Sequence, residues 1–300
     1  MSDITTIIPG EVTTAQLHGQ LLSAVAPRPI AFASTISKDG QVNLSPFSFF
    51  NVFGANPPIV IFSSARRVRD NTIKHTLENV REVPEVVINI VNYPIVEQMS
   101  LSSTEYAKGV NEFVKAGLTE TASDLVRPPR VTEAPVALEC KVRDIIETGQ
   151  EGGAGNLIMA EVVAMHIRNE YLNEDGKLDT QKLDLVARMG GSWYCRASGD
   201  ALFEIPKPIR TKGIGVDQLP EAIRLSPVLT GNNLGRLGNA EVLPDADSVA
   251  AFAKEDTRLK AIRSDKTVDA SRRTRILHTY AQQLLEEGAV QDALKVLLSR

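Results

Sequence analysis

The sequence predicts a mainly β fold, a closed or partly closed barrel, followed by a helical C-terminal extension. Three observations carry this. Between Ile30 and Ile167 the apolar residues come in short runs rich in Val, Ile and Phe, separated by clusters of Gly, Pro, Asn and Ser. Short β-branched runs with such punctuation read as strands. The runs do not alternate regularly with helical patterns, as a parallel sheet would require. Near residue 205 the composition changes, and the later apolar residues fall at helical spacing.

Taken along the chain, the strand runs are Ile30 to Ile36, Pro58 to Phe62, Val83 to Val91, Val136 to Ile146 and Leu157 to Ile167. Asp39-Gly40, between Ile36 and Val42, predicts a hairpin with a type I′ turn, and Asp175-Gly176 predicts a second tight turn. Ile73, Leu77 and Val80 share one helical face, so residues 72–81 read as a helix with Asp70 and Asn71 as candidate caps. A second helix is expected over Ser103 to Ala116, closed by Gly117. Ile205-Pro206-Lys207-Pro208 reads as a linker, which divides the chain into residues 1–207, an all-β body, and residues 208–300. In the extension, Asp247 to Lys254 is helical, and two helices broken at Gly288 end the chain. A single such helix pair cannot bury its own face, so it is expected to pack on the barrel or on a partner subunit. Leu229 to Asn239, rich in Gly and Asn, reads as a long irregular loop.

Composition narrows the function. Three hundred residues, 43% hydrophobic and 23% charged, suit a soluble globular chain of about two domains. The net charge of −4 argues against a nucleic-acid binder. No apolar run approaches the ~20 residues of a membrane span. The segment Met1 to Pro9 lacks the pattern of a signal peptide. Two distant cysteines, Cys140 and Cys195, exclude a disulfide framework and point away from a cysteine metal site, so the expectation is a cytoplasmic protein without a bound metal. There is no G-x-G-x-x-G loop after a strand, no Walker loop, no H-E-x-x-H and no G-x-S-x-G elbow, and the four histidines are scattered. An enzyme without a visible side-chain catalyst takes its chemistry from a cofactor.

Three segments could hold one. Phe62 to Asn71 sets two hydroxyls and three arginines before a helix start, with Lys74 and Thr76 in its first turns. Guanidinium groups, hydroxyls and free helix N–H groups favour a phosphate. An exposed basic loop has the same composition. Asn43 to Asn51 alternates aromatic with small polar residues; it reads either as a platform for a flat heteroaromatic ring or as a strand with an aromatic core face. Arg188 to Arg196 pairs glycines that permit close approach with Trp193 and Tyr194, which could stack on a ligand or fill the core.

In this order the three segments resemble the flavin reductase-like family of FMN-binding split-barrel proteins, which includes flavoredoxins and the reductase components of two-component flavin monooxygenases. The matching stretches are Pro27 to Thr35, Asn43 to Asn51, Pro57 to Ser63, Lys74 to Asn79, Val87 to Val91 and Arg188 to Tyr194. The resemblance implies a Greek-key split β-barrel that forms a homodimer, with FMN near the subunit interface. Lys74 and Thr76 match the family's phosphate-binding Lys-Asp-Thr pattern, with His75 in place of the aspartate. Ser63 and Arg66 would be further phosphate partners, while Arg67 and Arg69 would face solvent. Thr35, Ser45, Pro46, Phe47, Ser48 and Asn51 would line the isoalloxazine and ribityl, and Arg188, Gly190 and Gly191 would approach the ring. Many relatives carry a histidine before the strand that ends in Gly-Glu-Val; this chain has Asn156 and Ala160-Glu161-Val162 there.

The resulting expectation is an NAD(P)H-dependent flavin reductase passing hydride from NADH or NADPH to flavin N5, with a free flavin, another acceptor or a partner monooxygenase beyond it. The alternatives are a flavoredoxin-like electron carrier reduced by a partner protein and a barrel that holds no ligand. The Gly- and Asn-rich segment at 229–239 would either cover the flavin or brace the dimer.

Overall fold

The computed structural model describes residues 3–206 and 211–299. Two compact units divide the chain, Met1–Phe203 and Glu204–Arg300. Lys207 and Pro208 of the expected linker, and with them the expected boundary, lie outside the described residues.

The strands of the first unit are β1 (Ala31–Ile36), β2 (Val42–Phe47), β3 (Phe50–Ala55), β4 (Pro58–Ser63), β5 (Glu85–Ile90), β6 (Glu120–Thr121), β7 (Arg130–Val131), β8 (Val136–Glu147), β9 (Asn156–Ile167), β10 (Leu185–Arg188) and β11 (Tyr194–Ala197). Seven form one antiparallel sheet in the order β2-β1-β5-β8-β9-β4-β3. The edge strands β2 and β3 are consecutive in sequence and separated only by Ser48 and Phe49. So short a link brings the two edges of the sheet together, and the sheet rolls into a barrel split between them.

Five helices accompany these strands: α1 (Thr14–Ala24), α2 (His75–Glu82), α3 (Val96–Leu101), α4 (Glu112–Ala116) and α5 (Thr180–Leu183). The expected all-β body is therefore a sheet dressed by helices. The reason lies in strand alternation. Ala31, Ala33 and Phe47 pack in one cluster with Leu77 and Val80 of α2. Phe32 and Leu44, on the other face, pack with Met99, Phe113 and Ala116 of α3 and α4. Each face of the β1–β2 ribbon needs its own apolar cover.

Local expectations shift in four places. The β1–β2 hairpin is not a type I′ turn. Ser37 pairs with Gln41, the Gly40 N–H donates to the Ser37 carbonyl, and of the Asp39-Gly40 pair only Gly40 has positive φ (86°). That is a three-residue loop with a glycine bulge. Asn173 to Lys177 repeats it, with Gly176 at φ 74°. α2 begins at His75 rather than Thr72, because Asp70 accepts from the Thr72 N–H and Asn71 sits at φ 58°, a turn that defers the helix. Of the helix expected over residues 103–116 only Glu112–Ala116 forms. Gly109 at φ 87° interrupts it, Asn111 caps the remainder and Gly117 closes it at φ 65°.

The second unit holds α6 (Glu221–Arg224), α7 (Gly231–Gly238), α8 (Ala246–Glu255), α9 (Thr257–Ser264), α10 (Ala270–Glu286) and α11 (Val290–Leu298), with Gly288 at φ 81° between the last two. The stretch expected to be irregular is helix α7. Thr230 and Asn233 form a reciprocal cap at its start, and Leu237 is fully buried. The terminal helix pair does not need the barrel to cover it. Leu285, Leu294 and Val296 share a core with Leu237 of α7, Leu259 of α9, Leu219 and Ile223. Among the described residues no helix is long and apolar enough to cross a membrane.

Candidate functional site

The site grows from the end of β4 and the start of α2. α2 has no side chain capping its N-terminus, where Lys74 occupies the cap position. Its first N–H groups are therefore open to an acceptor. The Lys74 ammonium lies 3.3 Å from Ser45 Oγ and 4.7 Å above the centre of the Phe47 ring. Among the described residues it has no carboxylate within ion-pair distance. Burial and the nearby Arg67 both pull its pKa down. A desolvated cation without a counter-ion is a costly arrangement, and an anion would relieve it.

Two hydroxyls sit at the end of β4. Ser63 and Ser64 are buried, and neither Oγ has a hydrogen-bond partner among the described residues. Buried polar atoms are rarely left so. Gly155 lets the segment before β9 approach closely, since a Cβ there would stand 3.1 Å from Ser63 Oγ. The Asn156 amide donates to the Ser64 carbonyl at 2.7 Å, so this asparagine is spent on the backbone. Two orphaned hydroxyls, an unpaired lysine and an uncapped helix start make a donor set suited to a phosphate. The cradle therefore fits the phosphate of a mononucleotide such as FMN on its own chemistry.

Thr76 and Thr35 are both fully buried. Thr76 Oγ1 accepts from the Asn43 amide at 2.9 Å, and Thr35 Oγ1 accepts from the Asn79 amide at 3.1 Å. These paired bonds dock α2 on β1 and β2. Each hydroxyl keeps its own hydrogen to donate. Alternation along β2 aims Asn43, Ser45 and Phe47 at the α2 side and turns Pro46 to the other face. Phe47 also packs on Phe62 at 5.2 Å between centroids. Asn51 is exposed on β3, and its Oδ1 accepts from the Val52 N–H.

The arginines divide differently from expectation. Arg66 donates to Asn71 Oδ1 at 2.6 Å and to the Asn71 carbonyl at 2.9 Å, shaping the loop. Arg67 is not in solvent. It is half-buried and ties Thr72 Oγ1 and the Ile73 carbonyl to Glu105, because the delayed helix start leaves those acceptors free. Arg69 is exposed and pairs with Asp70 and Glu105.

Arg188, Gly190 and Gly191 form a second group. Arg188 donates to the Trp193 carbonyl at 3.0 Å and lies 4.6 Å from the centre of the Tyr194 ring. Gly190 makes its close approach to α1: a Cβ there would stand 2.4 Å from Ser23 Oγ. Gly191 takes φ 57° in the turn. The sequence motifs missed the residue that joins this group to the platform. Arg28 is 6% exposed and donates to Ser48 Oγ (3.3 Å), to the carbonyls of Val25 (2.7 Å) and Met189 (3.0 Å), and to that of Leu22. Its main chain pairs with Arg188 in both directions. A buried guanidinium thus binds the end of α1, the β2–β3 link and the 188–193 turn together. Its position between two prolines, Pro27-Arg28-Pro29, was the available signal.

Away from this region, Asp124, Glu139 and His166 present ligand atoms within 4.8 Å of one another. The cluster is internally satisfied. Glu139 accepts from the N–H groups of Asp124 and Leu125 and bonds His166 at 2.7 Å, while the Arg130 guanidinium stands 3.9 Å away.

Residues 23–182 match the flavin reductase like domain. The chain belongs to that family. An uncharacterized protein of Aquifex aeolicus is 37% identical over 189 residues, 63% of this chain and 94% of that one. Among solved structures, nitrilotriacetate monooxygenase component B of Bacillus cereus superposes with a TM-score of 0.63 at 29% identity, covering 68% of this chain and all of that chain. The 2-nitrobenzoate 2-nitroreductase of Pseudomonas fluorescens gives 0.60 at 29% identity, over 73% of this chain and 100% of its own. The family match ends at residue 182, so it concerns the first unit alone.

Proposed function

We propose that the chain is an FMN-binding flavin reductase that uses NADH or NADPH. The observation that carries this reading is the phosphate cradle: two buried, unpartnered hydroxyls at Ser63 and Ser64 and the unpaired Lys74 at the open start of α2, in a chain of the flavin reductase family. FMN, when bound, supplies the atom that accepts hydride. The protein's own part is binding and orientation. Lys74 and the α2 N–H groups hold the phosphate, and Ser63 and Ser64 donate to its oxygens. Ser45, Phe47 and Ser48 face the ribityl and ring. Arg28, by donating to Ser48 Oγ, leaves the Ser48 hydrogen free to donate to the ring's polar edge. Arg188 and Gly191, in the turn that Arg28 ties to Ser48, approach the ring, while Gly190 packs on α1.

A homodimer completes the reading. Edge strand β3 and its approach expose Phe49, Val52 (64%) and Phe53 (63%), and an exposed apolar edge strand is a surface that soluble proteins normally cover. A partner monooxygenase is in keeping with the likeness to a monooxygenase component B. The flavoredoxin-like carrier remains as a second reading because Asn156, whose amide is committed to the Ser64 carbonyl, stands where many relatives carry histidine.

Anaerobic stopped-flow mixing of the FMN-loaded protein with NADH and, separately, NADPH tests the proposal. Bleaching of the flavin absorbance with either donor is expected. Persistent oxidised colour with both refutes the reductase and leaves the carrier, while failure to retain or bind FMN refutes both.

A further inference from the structure

The second unit contains a site that the family match does not reach. α10 presents Ser271, Thr274, Arg275 and His278 one and two turns apart on a single face, and with Pro227 they line a cavity of about 230 Å3. His278 is only 5% exposed. Ser226 Oγ accepts from the N–H groups of Val228 and Leu229, each at 3.1 Å, so both its lone pairs are taken. Its one hydrogen is left for His278 Nδ1, at 2.6 Å. An imidazole nitrogen that accepts carries no proton, so the hydrogen-bond network assigns the ring proton to Nε2. That Nε2–H has no acceptor among the described residues. A buried ring thus offers an unused donor to the cavity it lines.

The charge around it points to the partner. Arg275 is exposed and makes no ion pair among the described residues, and the Ser271 hydroxyl is likewise free. Thr274 Oγ1 donates to the Ala270 carbonyl at 3.0 Å and can only accept from a ligand. Arg272, Arg273 and Arg275 all fall within the first two turns of α10, where the helix dipole disfavours cations. The cap Asp269 answers part of that charge, through its bond to the Arg272 N–H at 2.9 Å.

We propose that this cavity binds a phosphate group, either the free ion or the head of a small phosphomonoester. The Arg275 fork and the Ser271 hydroxyl take two of its oxygens. His278 Nε2–H donates to a third, and Thr274 Oγ1 accepts from the oxygen that carries the proton of the monoanion.

The test uses the full-length chain carrying Lys74→Met, so that the cradle of the first unit does not compete, whether or not it holds flavin. Inorganic phosphate, glycerol 3-phosphate and acetate are titrated separately by calorimetry, with long-range proton–nitrogen NMR of the His278 ring. One phosphate per chain is expected, with a shift of the His278 Nε2 resonance. Tighter binding of the ester than of the ion identifies an ester ligand, and the reverse identifies the free ion; either supports the site. Arg275→Gln, a surface change that leaves the fold intact, is expected to weaken phosphate at least tenfold, and His278→Gln is expected to keep part of the affinity through its amide donor. Phosphate affinity unchanged by Arg275→Gln, an unmoved His278 resonance at saturation, or acetate binding as tightly as phosphate overturns the proposal.

Discussion

Replacing Lys74 with methionine has consequences of opposite sign for the empty and the loaded protein. The ammonium is desolvated, stands over the Phe47 ring and, among the described residues, has only the Ser45 hydroxyl as a hydrogen-bond partner. Methionine keeps the length and packing of the stem and removes the charge, so the apoprotein should unfold at equal or higher temperature. With FMN the change removes a charge-assisted hydrogen bond to phosphate, worth about 1.5–3 kcal/mol. At 1.4 kcal/mol per tenfold, that weakens FMN binding roughly 10- to 150-fold. The pH dependence adds a check. Because the folded pKa of Lys74 lies below that of the unfolded chain, the unfolded state holds the proton more tightly. The lysine's cost to the fold is therefore full at neutral pH and disappears as pH rises through the folded value towards the usual 10.5. The stabilising effect of methionine should shrink over the same alkaline range. Thermal unfolding of both apoproteins from pH 7 to 10, with FMN titrations followed by flavin fluorescence, measures all three. A destabilised apoprotein together with unchanged FMN affinity would refute the argument that the cation awaits an anion.

Gly190→Ala should destabilise the first unit by about 1–3 kcal/mol, because the new Cβ meets Ser23 Oγ at 2.4 Å and its Cα at 3.0 Å; chemical denaturation reads this, and Ser23→Gly should recover only part. Arg28→Met leaves the Leu22, Val25 and Met189 carbonyls without their donor. A loss of about 1.5–3 kcal/mol is expected from the charge-assisted hydrogen bonds that the buried guanidinium makes, with faster hydrogen exchange at residues 188–193 than elsewhere. Burial lowers the His278 pKa, so the second unit should lose stability as pH falls below about 6.5 and through the lower folded value; hydrogen exchange over residues 270–298 at pH 7.5 and 5.0 follows it, and equal protection at both would contradict the neutral ring.

Much of the sheet was legible because its strands are short, β-branched and set off by turn residues. Pro58 to Phe62 and Val136 to Ile146 fall within a residue or two of β4 and β8. Ser63 and Lys74 of the proposed cradle could be picked out in the sequence because they carry their chemistry in their residue types. What was hidden depends on partners remote in sequence. Nothing in the text around Thr72 reveals that Asp70 will bond its N–H and delay the helix. Arg28 looks like one basic residue between prolines until Met189, 161 positions away, is brought to it. Gly155 belongs to a glycine cluster whose purpose shows only once Ser63 lies beside it. The segment at 229–239 misled for a simple reason: its glycines and asparagines suggest a loop, but one reciprocal cap and two leucines on a common face suffice for a helix.

The two-residue link between β2 and β3 does more than join neighbours. It makes the first and last strands of the sheet covalent neighbours at one end while leaving no ladder between them along their length. The slot is pinned at Ser48 and Phe49 like the spine of a book, and further along it is held by side chains, such as Phe47 on Phe62, and not by strand pairing. Arg28 grips that spine from inside through Ser48. Lengthening the link would therefore release a hinge that the arginine and the short chain now hold together.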